Sequence, residues 1–190
     1  MPVHYSGGVG NLEEIYAFAA RHKLRVVEDA SHAFGTIYQG RPVGSFGDIA
    51  CFSFDGIKNI TSGAGGAVVS ADPDVLRRVQ DARLLGVEND TAMRYAGARS
   101  WKFDVHEHGW RYHMSNIMAA IGIEQLKRFP EFSRIRQERA CHYQRRLAEC
   151  NALRLLAIDY TTVVPHIFPV RLLLRDPHHH SRETLQATLS

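Results

Sequence analysis

VVEDASHAFGTIYQGRPVGSFGDIACFSFDGIKNITSGAGGAVVS, residues 26–70, decides the architecture. Short apolar runs bounded by turn residues read as strands buried in a sheet, and this stretch supplies them in series. Leu24–Val27 leads into it as a strand that ends in the acidic pair Glu28-Asp29. Gly40 marks a hairpin-like turn, Asp48–Phe54 (DIACFSF) is a second strand, and the Gly-rich TSGAGG leads into a third at Ala67–Ser70. Upstream, Asn11 caps a helix over Leu12–His22, with Leu12, Ile15, Tyr16 and Ala19 on one face. Downstream, Asp72-Pro73 opens a helix that runs to about Leu85, before Gly86. Residues 87–113 lack periodicity and read as a long loop. Ser115 caps an apolar helix that Pro130 breaks, and a charged amphipathic helix follows to about Cys150. His166–Leu174 reads as a late strand, and Ser181 opens a last helix. Strand–helix alternation followed by a helical hairpin predicts an α/β chain, with a second layer beginning near residue 115.

Composition bounds the rest. The 190 residues carry Lys+Arg 23 against Asp+Glu 20, a formal charge of +3, with 45% hydrophobic and 23% charged residues. That is an ordinary globular balance of one domain or one and a fraction, which excludes disordered and collagen-like classes. Cys51, Cys141 and Cys150 are too few and too scattered for a disulfide framework or a cysteine zinc site, and read as reduced thiols. The small, dispersed positive charge gives no reason to invoke nucleic acid. No run approaches the ~18 apolar residues of a membrane span, and MPVHYSGGVG has neither the basic nor the apolar part of a signal peptide. A cytoplasmic protein is expected.

Ligands of open α/β sheets bind outside the carboxyl ends of strands. Asp29 closes one strand, His32 follows it, Ser53 ends the next, and Lys58 lies in the loop beyond. An acid, a hydroxyl and a lysine on one rim suit a cofactor with a protonatable ring nitrogen, a phosphate and an aldehyde, which is pyridoxal phosphate. Taken singly the same residues have plainer readings. Asp29 is a turn or cap, Lys58 a solvated loop cation, His32 a half-buried side chain with its bonds satisfied, and Cys51 core. The Gly63–Gly66 stretch precedes a strand instead of opening a helix, so it is no dinucleotide fingerprint.

As an ordered set these segments resemble the DegT/DnrJ-type aminotransferases, pyridoxal-phosphate enzymes that aminate nucleotide-linked keto-sugars. The resemblance lies in Glu28–Gly35 (EDASHAFG), Gly44–Asp48 (GSFGD), Phe52–Asn59 (FSFDGIKN) and Gly63–Gly66, with a further block at Gly109–Gln125 (GWRYHMSNIMAAIGIEQ). It extends from residue 1 to about 175. It implies an incomplete aminotransferase-like large domain with a mixed, mostly parallel sheet over residues 1–115. A helical connection and the start of an α+β small domain are implied over 116–190. The chain then reads as the middle of a longer protein.

By position, the resemblance assigns Lys58 as the lysine that forms the Schiff base with pyridoxal 5'-phosphate and Asp29 as the acid paired with its ring nitrogen. His32 falls where the cofactor ring is contacted, and Ser53 where its phosphate is bound. Arg111 stands where the family often has an Asn that reaches a phosphate on a partner subunit, so a homodimer is implied. Glutamate is the implied amino donor, and amino-sugar biosynthesis for cell-surface polysaccharide or secondary metabolites the implied setting. Two other readings remain: an inactive fragment or pseudoenzyme of the family, and a metal enzyme built on His106, His108 and His113. For the second, the segment offers no carboxylate or cysteine framework. No metal is assigned. His178-His179-His180 is read as a surface tract.

Overall fold

The computed structural model of the chain describes residues 1–88, 96–97, 104–173 and 182–189. A single 3-10 turn (Tyr5–Gly7) precedes helix α1 (Leu12–Arg21), whose first turn is held by the Asn11 side chain accepting the Glu14 N–H. Strand β1 (Val27–Asp29) lies parallel to β4 (Ile49–Ser53), and β4 lies antiparallel to β5 (Gly66–Ser70). Between them, β2 (Ile37–Tyr38) and β3 (Arg41–Pro42) make the hairpin expected at Gly40. Helix α2 (Pro73–Ala82) starts at Asp72, whose carboxylate accepts the N–H groups of Asp74 and Val75. Helix α3 (Asn116–Leu147) starts at Ser115. Strands β6 (Leu153–Leu155) and β7 (Val170–Leu172) pair antiparallel, and α4 (Arg182–Leu189) follows. The α/β layering and the mixed sheet agree with the sequence reading.

Three boundaries differ from it. The first strand is Val27–Asp29, not Leu24–Val27, and Leu24 is exposed. The chain leaves α1 through Lys23 in the left-handed region (φ 53°), while the Leu24 N–H donates back to the Ala19 carbonyl. That is a helix-ending motif in which glycine is usual, and Leu24 belongs to it. Pro130 does not break the helix: α3 runs through it for 32 residues. Proline removes one helical hydrogen bond, orphaning the Leu126 carbonyl. Leu126 and Pro130 are both exposed, so water can serve that oxygen. The late strand shrinks to Val170–Leu172, because Val163–Ile167 is used otherwise.

Val163–Ile167 is a strap bound to the first layer. The Thr36 hydroxyl, fully buried, donates to the Gly7 carbonyl (3.2 Å) and accepts the Val164 N–H (3.1 Å). Asn59 Nδ2 donates to the Val164 carbonyl (3.1 Å), Ile37 N–H to the Thr162 carbonyl (2.9 Å), and Ser6 Oγ to the Ile167 carbonyl. Beneath it, Phe34 packs edge-on against Phe52, Phe54 and Phe129, which joins the sheet to α3. Gly35 allows this approach. It sits at φ +84°, and a Cβ there would stand 2.3 Å from the Phe129 ring.

The Thr36 bonds yield a prediction. Thr36→Val keeps the volume but leaves the Val164 N–H buried without an acceptor, which costs about 1–3 kcal/mol. In urea unfolding the midpoint should fall with the slope unchanged.

Candidate functional site

The register of β1 against β4 sets Asp29 beside Cys51, so both parallel strands end on one rim. Ser53 closes β4 two residues further on, opposite Gly66. There a Cβ on residue 66 would lie 2.4 Å from the Phe52 carbonyl oxygen, which explains glycine at that point. A tight turn follows, with Lys58 N–H donating to the Asp55 carbonyl and Asp55 N–H reaching the Ser53 hydroxyl. Lys58 is thereby returned toward the end of β1.

The electrostatics bring three of the expected residues together. Asp29 accepts the Ser31 N–H at 3.0 Å. Hydrogen bonding from Ser31, with smaller contributions from His32 and Lys58, holds its carboxyl below the usual carboxylate range. It is therefore ionised at neutral pH. Burial, then the neighbouring Lys58, pushes His32 down, with Asp29 opposing. The His32 Nδ1 accepts the Ser6 N–H at 3.4 Å, and its ring stands 5.9 Å from that of Tyr5.

The acidic pair at the end of β1 divides its work. Glu28 is 1% exposed and faces the other side of the sheet. There His4 Nε2 lies 2.8 Å from one carboxylate oxygen and Tyr16 Oη donates to the other at 2.6 Å. Burial alone would raise the Glu28 carboxyl, but the bonds from His4 and Tyr16 outweigh it and hold it low. The His4 backbone N–H in turn donates to the Asp29 carbonyl at 3.0 Å, so this buried pair braces the residue at the rim.

Arg111 stands apart from these residues. It is exposed, bridges Leu84 beside the end of α2, and does not line the cavity at Lys58. Among the described residues no group of three or more His, Cys, Asp or Glu could hold a metal, so the structure gives the reading on His106, His108 and His113 no site. His106 instead lies 3.9 Å from Glu88. The His178–His180 tract lies outside the described residues.

Sequence reasoning missed His166. The strap carries its ring to 4.4 Å from that of His32, and it shares with Lys58, Asn59 and Thr61 a cavity of about 490 Å³ against α3. Its Nδ1 is buried and has no hydrogen-bond partner among the described residues. Burial, aided by His32, Lys58 and Arg136, pushes its pKa down to about 4, so the imidazole is neutral. Arg136 on α3 fixes the strap by donating through Nη1 to the carbonyls of Pro165 (3.3 Å) and His166 (3.2 Å). A signal was present, since His166 opens an apolar run and Arg136 interrupts the Phe132–Ile135 face of a helix. Neither could be placed at the rim without knowing that the strap returns. No described helix is long and apolar enough to cross a membrane.

The chain is similar to known proteins over its whole length. Residues 1–190 match the model described as the DegT/DnrJ/EryC1/StrS aminotransferase family. An uncharacterized protein of Methanocaldococcus jannaschii is 39% identical over 143 residues, which is 75% of this chain and 37% of the relative. The spore coat polysaccharide biosynthesis protein SpsC of Bacillus subtilis is 36% identical over 144 residues, 76% of this chain and 37% of the relative. The crystal structure of a sugar aminotransferase from Micromonospora echinospora superposes with a TM-score of 0.81 at 30% identity, covering 98% of this chain and 50% of that one. The chain thus spans about a third to a half of the length of the relatives it matches.

The depressed His166 makes stability depend on pH with a definite sign. Between the ordinary 6.5 and about 4 the unfolded chain binds a proton that the folded chain excludes. Stability is therefore full above that window and falls as the pH drops through it. In His166→Gln, urea midpoints should fall less between neutral pH and pH 4 than in the parent chain; parallel curves would rule the burial of a neutral imidazole out.

Proposed function

Because the chain belongs to the DegT/DnrJ/EryC1/StrS aminotransferase family, we propose that it is the part of a pyridoxal-phosphate-dependent sugar aminotransferase that binds and activates the cofactor. The reaction moves an amino group from glutamate to a nucleotide-linked keto-sugar. The observation that carries this reading is the ionised Asp29 within electrostatic reach of both Lys58 and His32 at the carboxyl end of two parallel strands.

The residues present fit the cofactor. A carboxylate kept charged by its own hydrogen bonds suits a protonated ring nitrogen, and a lysine stands beside it. A hydroxyl closes the neighbouring strand, and a buried imidazole nitrogen lacks a partner nearby. When bound, the cofactor supplies an electron-accepting ring and an aldehyde that takes up an amino group. Asp29 would keep a proton on the ring nitrogen, Ser53 would donate to the phosphate, and His32 would contact the ring. Lys58 would hold the cofactor through its aldehyde and, when displaced by the incoming amine, would be placed to carry a proton from the substrate carbon. Arg111, exposed and away from its own rim, reaches a phosphate on a partner subunit in a homodimer, where its fork can donate two bonds. The boundary between the cofactor-binding part and the small-domain part lies near residue 115.

The test is covalent. Incubation with pyridoxal phosphate should give a visible absorption band, and borohydride should then fix the cofactor on Lys58, as peptide mapping would find. Lys58→Ala should abolish the label. Asp29→Asn should weaken cofactor binding about tenfold or more, the worth of one charge-assisted hydrogen bond. Label scattered over surface lysines, or unchanged in Lys58→Ala, would sink the assignment.

A further inference from the structure

Ser6 is fully buried and stands in the left-handed region, at φ 62° and ψ 11°, with Gly7 following at φ 87°. A residue with a β-carbon takes that conformation reluctantly, so something must hold it there. The turn that contains it is anchored on both sides. His4 N–H donates to the Asp29 carbonyl at 3.0 Å, and His4 Nε2 lies 2.8 Å from the Glu28 carboxylate. Thr36 Oγ1 donates to the Gly7 carbonyl at 3.2 Å. A Cβ on Gly7 would stand 2.6 Å from the Val164 carbonyl oxygen, so the strap packs closely against the turn.

Held in this way, Ser6 has two polar groups to place. Its N–H belongs to the first turn of a 3-10 helix, where backbone donors have no partner within the helix. It finds one in His32 Nδ1, at 3.4 Å. Its hydroxyl donates to the Ile167 carbonyl, one residue beyond His166. One residue thus reaches the ring of His32 and the strap that brings the ring of His166 to 4.4 Å from it. The first bond has a chemical consequence. An amide N–H only donates, so Nδ1 must offer its lone pair and cannot carry a proton. The neutral ring is then protonated at Nε2 alone. An imidazolium would set N–H against N–H across a part-buried contact, which acts with burial and Lys58, and against Asp29, to keep the ring neutral. His166 does not compete for the ring, because its own Nδ1 takes no hydrogen bond among the described residues.

We propose that Ser6 is a positioning residue: its backbone N–H fixes His32 as the Nε2-protonated tautomer, and its hydroxyl fixes the strap that carries His166. His32 is thereby a donor at Nε2 before any ligand arrives, suited to an acceptor oxygen and closed to a group that itself donates. That this donor serves the cofactor ring rests on the cofactor reading of Lys58 and Asp29, whereas the tautomer does not.

Histidine-selective nitrogen-15 NMR on the chain at mildly alkaline pH reads the tautomer, with His32→Gln used to assign the signals. His32 should show an unprotonated Nδ1 and a protonated Nε2, while exposed His142 shows signals averaged over both forms. Averaged signals at His32, or a protonated Nδ1, would overturn the proposal. Replacing Ser6 by its α-hydroxy acid turns the amide into an ester, and so the donor into an acceptor, with the side chain kept. A proton should then appear on Nδ1, and His32 should titrate at higher pH than in the parent chain, with Tyr5, Asp29, Lys58 and His166 all in place. A ring unchanged in tautomer and titration would show that Ser6 does not set it. Ser6→Ala keeps the N–H and removes only the hydroxyl. The His32 tautomer should persist, while His166, its strap loosened, should titrate above about 4; an unmoved His166 would strike the role of the hydroxyl. Circular dichroism melts check folding, and if the ester chain does not fold, the contrast of His32 with His142 in the parent chain decides. The ester chain should also bind pyridoxal phosphate about tenfold more weakly, the worth of one hydrogen bond to a charged group. Equal affinity would end the positioning role. A fixed tautomer with no borohydride label on Lys58 would leave the lock standing and end its link to the cofactor.

Discussion

The parallel pairing of β1 with β4 is the constraint from which the site follows. Parallel neighbours end on the same side of a sheet, and their carboxyl ends leave backbone and side chains unpaired at one rim. With Asp29 in register with Cys51, the acid stands at that rim, and Ser53 and the Lys58 turn must emerge beside it. A shift by one residue would exchange the faces of Glu28 and Asp29. Glu28 would then lose His4 and Tyr16, and Asp29 would be buried in their place. The buried Glu28–His4 pair thus defines the register as much as it stabilises the strand, because a wrong register would strand a charge without a partner.

A second constraint closes the site from above. The strap around Val164 forms no strand, yet its backbone groups are satisfied by side chains from the first layer, Thr36, Asn59 and Ser6. Buried backbone without a ladder needs such partners. The consequence is chemical: the strap brings His166 to His32 and forms the wall that faces α3. Residues more than a hundred positions apart in the chain become neighbours through three small polar side chains.

Much of this was legible in the sequence. Short apolar runs ending in acid, hydroxyl and lysine identified the rim, because strand ends and turn residues are local signals. The caps at Asn11, Asp72 and Ser115 were legible for the same reason. Leu24 was misread because its helix ends through a left-handed Lys23 where glycine is the usual sign. Pro130 was misread because its orphaned carbonyl lies on an exposed face, where water removes most of the penalty. His166 and Arg136 were out of reach for a different reason. Their meaning is a contact between distant segments, and periodicity carries no record of which segment packs over which.

The charges of the site then form a consistent whole. Asp29 stands at the rim, where hydrogen bonding from Ser31, with smaller contributions from His32 and Lys58, keeps it ionised. The two imidazoles beside Lys58 are held neutral by burial, so they offer hydrogen bonds without adding positive charge. Arg136 and Arg139 of α3 add two guanidinium groups to the walls of the cavity that Lys58 lines.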